Sequence, residues 1–386
     1  MAIKFLEGFE TYFSAYEQHL PSYAYPYTNY SEEASTAYAQ SGKYGGYSLM
    51  YSGGYTSSSS SRNHIYSTNK ITTSESYYPT GVGTSLGDLT VGFRFKKINS
   101  NSIAITYDIN YVSLITLGGA AFGITISPTT INGGFYTPAI STGSTSDNDY
   151  VTYAFSNDEE WHYIECAARS LNYTSPNYNF ILKLDNKVVA QTTISTSVSI
   201  SYPLSGITFS ATNIAMMLID DLYVTDGNPK DNFGNPTIYT GFIPNAYRYH
   251  IKALMPTGDV STQWYPNSGS THYNLINSIP CDSGNTYISA TGLYDIDSFQ
   301  YQSLNEIDGK ILALQVAPVQ QLNMGIAAKT MPMINNYTFG TGIFANTLYW
   351  RDYACVAETN PLTNQAWTSS DVSGLTAGIK MTSLTE

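Results

Sequence analysis

The sequence predicts an all-β protein, in which short strands form a jelly-roll sandwich that is followed by a second, smaller β-rich domain. Of its 386 residues 42% are hydrophobic, which is enough for a packed core, and only 12% are charged. The polarity comes instead from uncharged side chains and from 35 tyrosines, a mixture that favours strands over exposed helices held by Glu and Lys pairs. Many short runs alternate with a two-residue period, whereas the helical period is weak throughout.

The clearest strand pair lies within residues 161–189. From Trp161 onward, successive residues fall on opposite faces, as they do in a strand. The run over residues 178–189 alternates again, and Asp185-Asn186 within it predicts a turn. The side chains expected on one buried surface of this second run are those of Phe180, Leu182, Leu184 and Val188.

Further strand-like runs occur along the whole chain, and turn residues separate nearly all of them. In the first part they cover residues 89–98, 102–117, 122–127, 194–200 and 214–227. In the second part they cover residues 248–259, 272–276, 285–290, 309–319 and 347–356. A segment rich in Pro and Gly follows Asp226-Gly227 and predicts a boundary near residue 235, which gives domains of residues 1–235 and 236–386.

Charge and motif content exclude several functions. The net charge is −12 and no basic run exists that could neutralise successive phosphates, so nucleic acid is not an expected ligand. The first residues lack the apolar core of a signal peptide or a membrane anchor. Cys166, Cys281 and Cys355 lie far apart and are expected to be buried thiols. The five histidines show no metal-ligand spacing, so no metal or cofactor is predicted.

The residues around Trp161-His162 resemble the concanavalin A-like lectin and glucanase superfamily, particularly its laminin-G-like members. In those proteins a Trp-His pair opens a strand, and a later strand ends in an Asp-Gly-type turn, whose glycine is Asn186 here. The segments EGFETY and IDDLYVTDG look like the first and last strands of the same sandwich. The resemblance covers about residues 1–227 and implies a concanavalin A-like sandwich there.

The second part resembles the C-terminal part of tailed-bacteriophage virion proteins, which carry a laminin-G-like half first. The segments that carry this resemblance, in order, are residues 240–264, 270–277, 285–290 and 295–299. It implies a virion structural protein, either a capsid decoration or a tail appendage, made in the host cytoplasm and then assembled. Other virion proteins are the implied partners. Few charges and many strand edges further predict a homo-oligomer, with a trimer favoured by analogy.

The carboxylates do not form the pattern that a glucanase of this superfamily needs. That pattern places two glutamates on either side of an aspartate on one strand. The segment Glu306-Ile307-Asp308 lacks the second glutamate, and Asp158, Glu159 and Glu160 are adjacent, which indicates a solvated turn. No residue is therefore predicted to be catalytic.

Two binding hypotheses stay open at the level of sequence. Asp220, Asp221 and Asp226 could hold calcium, or they could pin backbone amides near a turn. The second hypothesis concerns four tyrosines that could cover the core, contact another subunit or stack on a host surface glycan, namely Tyr23, Tyr25, Tyr27 and Tyr30. The alternative function is therefore a host-glycan-binding adhesin or a glycan depolymerase of the tail.

Overall fold

The fold is taken from a computed structural model. It describes residues 3–7, 35–41, 47–53, 61–67, 89–98, 110–116, 121–126, 129–136, 150–155, 158–170, 177–195, 204–211, 216–226, 242–243, 246–277, 285–290, 292–304, 309–322, 327–340, 342–345, 351–352 and 355–385. None of the helices in these ranges has the length and apolar character needed to cross a bilayer.

Strands dominate the described residues. In chain order they are β1 (Ile3–Glu7), β2 (Ser35–Ser41), β3 (Tyr47–Gly53), β4 (Ser61–Ser67), β5 (Leu89–Ile98), β6 (Asn110–Thr116), β7 (Ala121–Ile126), β8 (Thr130–Tyr136), β9 (Tyr150–Ala154), β10 (Trp161–Ser170), β11 (Asn177–Leu184), β12 (Lys187–Ser195), β13 (Leu204–Ala211) and β14 (Met216–Asp226). They continue with β15 (Pro256–Thr262), β16 (Tyr265–Pro266), β17 (Ile288–Ser289), β18 (Ile296–Tyr301), β19 (Leu314–Val316), β20 (Val319–Gln320), β21 (Ala327–Ile334), β22 (Tyr337–Thr338), β23 (Ile343–Ala345), β24 (Arg351–Asp352), β25 (Cys355–Ala357) and β26 (Thr376–Thr385). The helical elements are a 3-10 turn (Ala246–Arg248), α1 (Tyr273–Ile276) and α2 (Ser369–Val372).

Three antiparallel sheets contain most of these strands. The first sheet has eight strands in the order β12-β11-β10-β5-β14-β3-β2, with β1 beside β14. The second has six in the order β4-β13-β6-β7-β8-β9, and the third has six in the order β15-β18-β26-β21-β22, with β23 beside β21. The predicted class, an all-β jelly-roll sandwich followed by a second β-rich part, is confirmed.

The first and second sheets pack face to face around an aromatic core. Phe93, Phe95 and Phe180 of the first sheet are fully buried, as is Ile124 of the second. Phe155, which follows β9, packs against Phe95 with ring centroids 5.8 Å apart. Burying one such side chain contributes about 1.5–3 kcal/mol, so this layer supplies much of the stability of the sandwich.

The hairpin between β11 and β12 turns at Asp185-Asn186, as predicted. Both residues have positive φ, 48° and 69°, which is the conformation of a two-residue turn that matches the twist of the paired strands. Asp185 Oδ1 accepts a hydrogen bond from the Tyr163 amide at 2.9 Å. The turn is thereby fixed to the neighbouring strand β10.

The prediction that Val188 shares a buried surface with Phe180, Leu182 and Leu184 is wrong. Leu182 and Leu184 are buried, but Val188 is 56% exposed. The turn sets Lys187 opposite Leu184, so Val188 lies opposite Lys183 on the outer face, and a bulge follows it. A two-residue alternation does not continue through a turn and a bulge, so it assigns Val188 to the wrong face of the sheet.

Two predicted strands of the second part are also wrong. Residues 272–276 contain the short helix α1, whose first amides, of His272 and Tyr273, donate to the Asp259 carboxylate at 3.0 and 2.7 Å. The run predicted over residues 248–259 is a strand only from Pro256, because a 3-10 turn and an irregular segment precede it. Tertiary contacts determine the conformation of both segments. Such contacts cannot be predicted from the local pattern of a short apolar run.

The third sheet and its neighbouring ladders have a separate apolar core. Trp367, Phe339 and Ile343 are buried there beside Cys355 and Val372. Trp367 Nε1 also donates to the Ala357 carbonyl at 2.8 Å, so its polar atom is satisfied inside the core. The boundary near residue 235 lies outside the described residues, and the division into two domains stays a prediction.

The cysteine prediction is confirmed where the structure describes the chain. Cys166 and Cys355 are buried free thiols, and burial raises the pKa of each to about 12. Cys281 lies outside the described residues.

Replacing Gly133 with Ala is expected to destabilise the sandwich. A Cβ on Gly133 would lie 2.7 Å from Phe180 Cζ, so the ring would have to move out of a filled core. Overpacking of this kind costs about 1–3 kcal/mol in the free energy of unfolding. The matched change Gly258→Ala adds a Cβ whose nearest neighbour lies 3.9 Å away, and should cost under about 0.5 kcal/mol. Denaturant titration of both variants checks this, and equal losses would contradict it.

Candidate functional site

Five side chains on the outer face of the first sheet form one buried cluster, called the junction cluster below. Its members are Arg94, Tyr163, Glu165, Asp221 and Tyr223. The pairing of β5 with β10 places Arg94 directly opposite Tyr163, so both side chains leave the sheet on the same side. This face is the one that points away from the aromatic core.

A β-bulge in β14 directs Asp221 toward Arg94. Asp220 pairs with Arg94 and Tyr223 pairs with Gly92, so β14 has one more residue than β5 between these two pairs. Asp221 has a positive φ of 51°, which Asp tolerates better than most residues, and its amide donates to Asp220 Oδ1 at 2.8 Å. Bulges of this kind redirect a side chain, and here the redirected group is a carboxylate.

Arg94 and Asp221 together hold the chain that follows the 3-10 turn. Arg94 Nε donates to Asp221 Oδ2 at 2.5 Å, and its Nη2 donates to the Tyr249 carbonyl at 2.9 Å. Asp221 Oδ1 accepts a hydrogen bond from the Ile251 amide at 2.7 Å. The guanidinium also lies 5.1 Å from the centroid of the Tyr163 ring. One ion pair therefore fixes two backbone groups of the second part against the first sheet.

Glu165 is the second carboxylate of the junction cluster. It accepts a hydrogen bond from the Tyr223 hydroxyl, and its Oε2 lies 3.9 Å from Lys183 Nζ. Lys183 Nζ in turn lies 3.5 Å from the centroid of the Phe242 ring. The Tyr223 ring occupies the space over Gly92, where a Cβ would lie 2.7 Å from Tyr223 Cζ. A glycine at this position is what allows Tyr223 to reach Glu165.

Burial controls the ionisation of the junction cluster. It raises the pKa of Glu165, against the effects of the Tyr223 hydroxyl and Lys183. It also raises the pKa of Asp221, against the Ile251 amide and Arg94. Burial raises the pKa of Tyr223 well above its usual range, so the hydroxyl keeps its proton and stays a donor to Glu165.

Apolar residues from distant parts of the chain cover the junction cluster. Ile3, Ile243 and Val356 are buried in one group with Tyr163 and Tyr223. Glu165 is only 1% exposed, and Arg94 and Asp221 are 4% exposed. Because these charged groups are almost fully buried, they bind other groups of the protein and not solvent. The junction cluster therefore joins the first sheet to the segment that contains Tyr249 and Ile251.

The first strand of the chain takes part in the same junction. Its Ile3 amide donates to Glu358 Oε1 at 2.5 Å. Leu6 exchanges two hydrogen bonds with the side-chain amide of Gln315, each 2.9 Å long. Because β1 pairs with β14 on its other side, it links the first sheet to residues more than 300 positions away.

A second polar group surrounds His162, at the start of β10. His162 Nδ1 lies 2.8 Å from Asp185 Oδ2, and Nε2 lies 2.9 Å from Asp158 Oδ1. The Phe155 ring packs edge-on against the imidazole at 5.2 Å. The hydrogen bond with Asp185 raises the pKa of His162, against the effect of burial, and the bond with His162 lowers the pKa of Asp158. Burial works to raise the pKa of Asp185, but the bonds from His162 and the Tyr163 amide lower it overall.

The structure decides some of the residue predictions. Asp220 accepts a hydrogen bond from the Asp221 amide and Asp221 accepts one from the Ile251 amide, which agrees with the structural alternative for these two residues. The side chain of Asp226 lies outside the described residues. Within the described ranges, no group of three or more His, Cys, Asp or Glu residues could hold a metal ion.

Other predicted positions fall beyond the described ranges. The tyrosines proposed for glycan or subunit contact, Tyr23, Tyr25, Tyr27 and Tyr30, lie outside the described residues. The same holds for Glu306-Ile307-Asp308. Asp158, Glu159 and Glu160 are exposed, as predicted for a solvated turn.

Sequence reasoning missed the junction cluster. One signal was present, because Arg94 and Glu165 each interrupt a strand that is otherwise rich in apolar residues. A charged residue inside such a strand is normally paired when it is buried. The partner Asp221 is 127 positions from Arg94, and the bulge that aims it has no clear sequence signal.

Comparisons with known proteins find similarity in structure only. No protein-family model and no curated protein matches this sequence. An endo-β-1,4-glucuronan lyase from the fungus Trichoderma reesei is 14% identical, with a TM-score of 0.37, over 58% of this chain and 96% of that one. An alginate lyase from Aplysia kurodai is 11% identical, with a TM-score of 0.31, over 49% and 87%. A legume lectin-like domain from Entamoeba histolytica is 11% identical, with a TM-score of 0.28, over 50% and 84%. None of these likenesses assigns an activity to this chain.

Replacing Asp221 with Asn is expected to destabilise the protein strongly. Asn tolerates the positive φ at this position, so the change removes the negative charge that is paired with the buried Arg94. Breaking a buried pair in this way costs about 3–5 kcal/mol. The control Glu160→Gln removes an exposed carboxylate and should cost under about 0.5 kcal/mol. Free energies of unfolding from denaturant titration check this, and a loss no larger than that of the control would contradict it.

The His162 group is expected to make stability depend on pH. The pKa of His162 is raised in the folded state. Its contribution to the free energy of unfolding is therefore complete below its unfolded pKa of about 6.5 and is lost as the pH rises through its folded-state pKa. The pKa values of Asp158 and Asp185 are lowered in the folded state, so their contribution to the free energy of unfolding is complete above about pH 3.8 and is lost at lower pH.

The variant His162→Gln tests this pH dependence. The difference in melting temperature between the native protein and this variant should be larger at about pH 5.5 than at about pH 8.5. Thermal melts at the two pH values give the answer. A difference that is the same at both, or larger at the higher pH, contradicts the assignment.

Proposed function

We propose that this chain is a non-enzymatic structural protein of a tailed-phage particle, either a capsid decoration or a tail appendage. The two-part resemblance of the sequence supports this proposal, because a laminin-G-like half precedes a segment like the C-terminal part of phage virion proteins. The partners are other virion proteins and further copies of the chain. The protein is made in the host cytoplasm and then becomes part of the virion.

The closure of the junction cluster is the observation that favours a scaffold over an enzyme. Glycoside cleavage by paired carboxyl groups requires both of them to reach the substrate. Glu165 and Asp221 are instead bound by Tyr223, Arg94 and the Ile251 amide, under apolar cover. Their side chains join the two parts of the chain, which is a structural role.

Glycan binding without catalysis is the second candidate function. Tyr265 and Tyr294 are each 61% exposed, and an exposed aromatic ring can stack on a sugar. Tyr294 has a positive φ of 73°, in a tight turn in which the Gly292 amide donates to Asp295 Oδ2 at 2.8 Å. A large side chain held outward in a strained conformation is a feature of binding positions.

Purified particles and purified chain together test these functions. Mass spectrometry of the particles should detect the chain, and incubation of the chain with host polysaccharide should release no reducing ends and no unsaturated sugars. Absence of the chain from particles would contradict the virion role. Sugar release above that of a sample without the chain would contradict the non-enzymatic role. Binding on a glycan array that Tyr294→Ala abolishes would support the second candidate.

A further inference from the structure

Strand β12 is an edge of the first sheet. Within the described residues it pairs with β11 on one side, and no strand is hydrogen-bonded to its other side, although β9 of the second sheet lies close to it. Its nine residues, KVVAQTTIS, contain no proline, and the only charge is on Lys187 at one end. A long, regular and uncharged edge presents backbone groups that another strand can bind.

Three other edges in the described structure are protected, whereas β2, at the opposite edge of the first sheet, also lacks proline, charge and a bulge but is shorter than β12. The outer side of β1 is bound by the side chains of Gln315 and Glu358. The edge strand β15 begins at Pro256 and has two register shifts, and β22 at the opposite edge has only two residues. Proline, bulges, short strands and covering groups are the usual means by which proteins prevent pairing at an edge. In β12 the only such device is the bulge near its start.

The faces of β12 determine which register a second copy could adopt. Gln191 and Thr193 pair with Ile181 and Asn179 and are exposed, while Thr192 lies between them on the opposite face and is partly buried. Strands that continue a sheet place residues of the same face opposite each other. A twofold antiparallel contact centred on Thr192 satisfies this rule, because it sets Gln191 opposite Thr193 in both halves.

This register also uses the regular part of the strand. The bulge falls between the pairs of Lys183 and Leu182, so the pairing from Ala190 to Ser195 is continuous. Centring on Thr192 pairs Ala190 with Ile194 and leaves Lys187 beyond the contact. The lysines of the two copies then lie at opposite ends, and no like charges meet.

We propose that β12 is the surface through which two copies of this chain associate, by antiparallel pairing about a twofold axis at Thr192. The first sheets of the two copies become one continuous sheet. This inference rests on the self-assembly part of the proposed function and specifies its contact. A twofold contact gives twice the mass of one chain, whereas the trimer expected by analogy gives three times that mass.

Charge substitutions at two positions test both the surface and the register. In Gln191→Lys with Thr193→Lys, two lysines would face two lysines across the contact, and the mass from light scattering should fall to that of one chain. In Gln191→Lys with Thr193→Glu, each lysine would face a glutamate of the other copy, and the mass should remain that of two chains. Both positions are exposed within one chain, so folding should be retained.

The control Gln365→Lys adds one positive charge at an exposed position outside β12 and should leave the mass at two chains. A native protein with the mass of one or three chains would overturn the proposal. Association of the double-lysine variant, or loss of association in the lysine–glutamate variant, would also overturn it. These results are independent of whether the chain is found in particles, so the contact and the virion role can fail separately.

Discussion

The ion pair between Arg94 and Asp221 is the interaction on which the arrangement of the described chain depends. Removing two charges from water is costly, and the cost is recovered only when the pair has good geometry and its remaining donors and acceptors are satisfied. Here the backbone at Tyr249 and Ile251 satisfies them. The segment after the 3-10 turn is therefore held at one position on the first sheet, and the apolar cover that includes Ile243 and Val356 is built around it.

Alternation in the sequence predicted the central strands of the first sheet, but β2, β4, β8, β9 and β13 were not predicted. The strand over residues 89–98 has the predicted bounds, and the turn at Asp185-Asn186 lies where predicted, because period and turn chemistry are local properties. Val188 was assigned to the wrong face because register changes at the turn and the bulge. The helix α1 was missed because its first amides bind Asp259, which is more than ten positions away.

The candidate site was less predictable than the fold, for a physical reason. The charged residues Arg94 and Glu165 were visible inside apolar strands, but their partners come from other strands and from the bulge in β14. Only the folded chain brings these groups together. The same closure leaves the carboxylates of Glu165 and Asp221 buried and bound inside the chain.

Amide hydrogen exchange is the most direct test that the junction cluster stays covered in the folded protein. Peptides that contain Leu6 and Ile251 should exchange as slowly as those of β10. The reason is that the junction cluster should open only when the whole protein unfolds. Fast exchange of these two peptides, with β10 still protected, would show that the second part separates from the first sheet in the folded protein. That result would contradict the account.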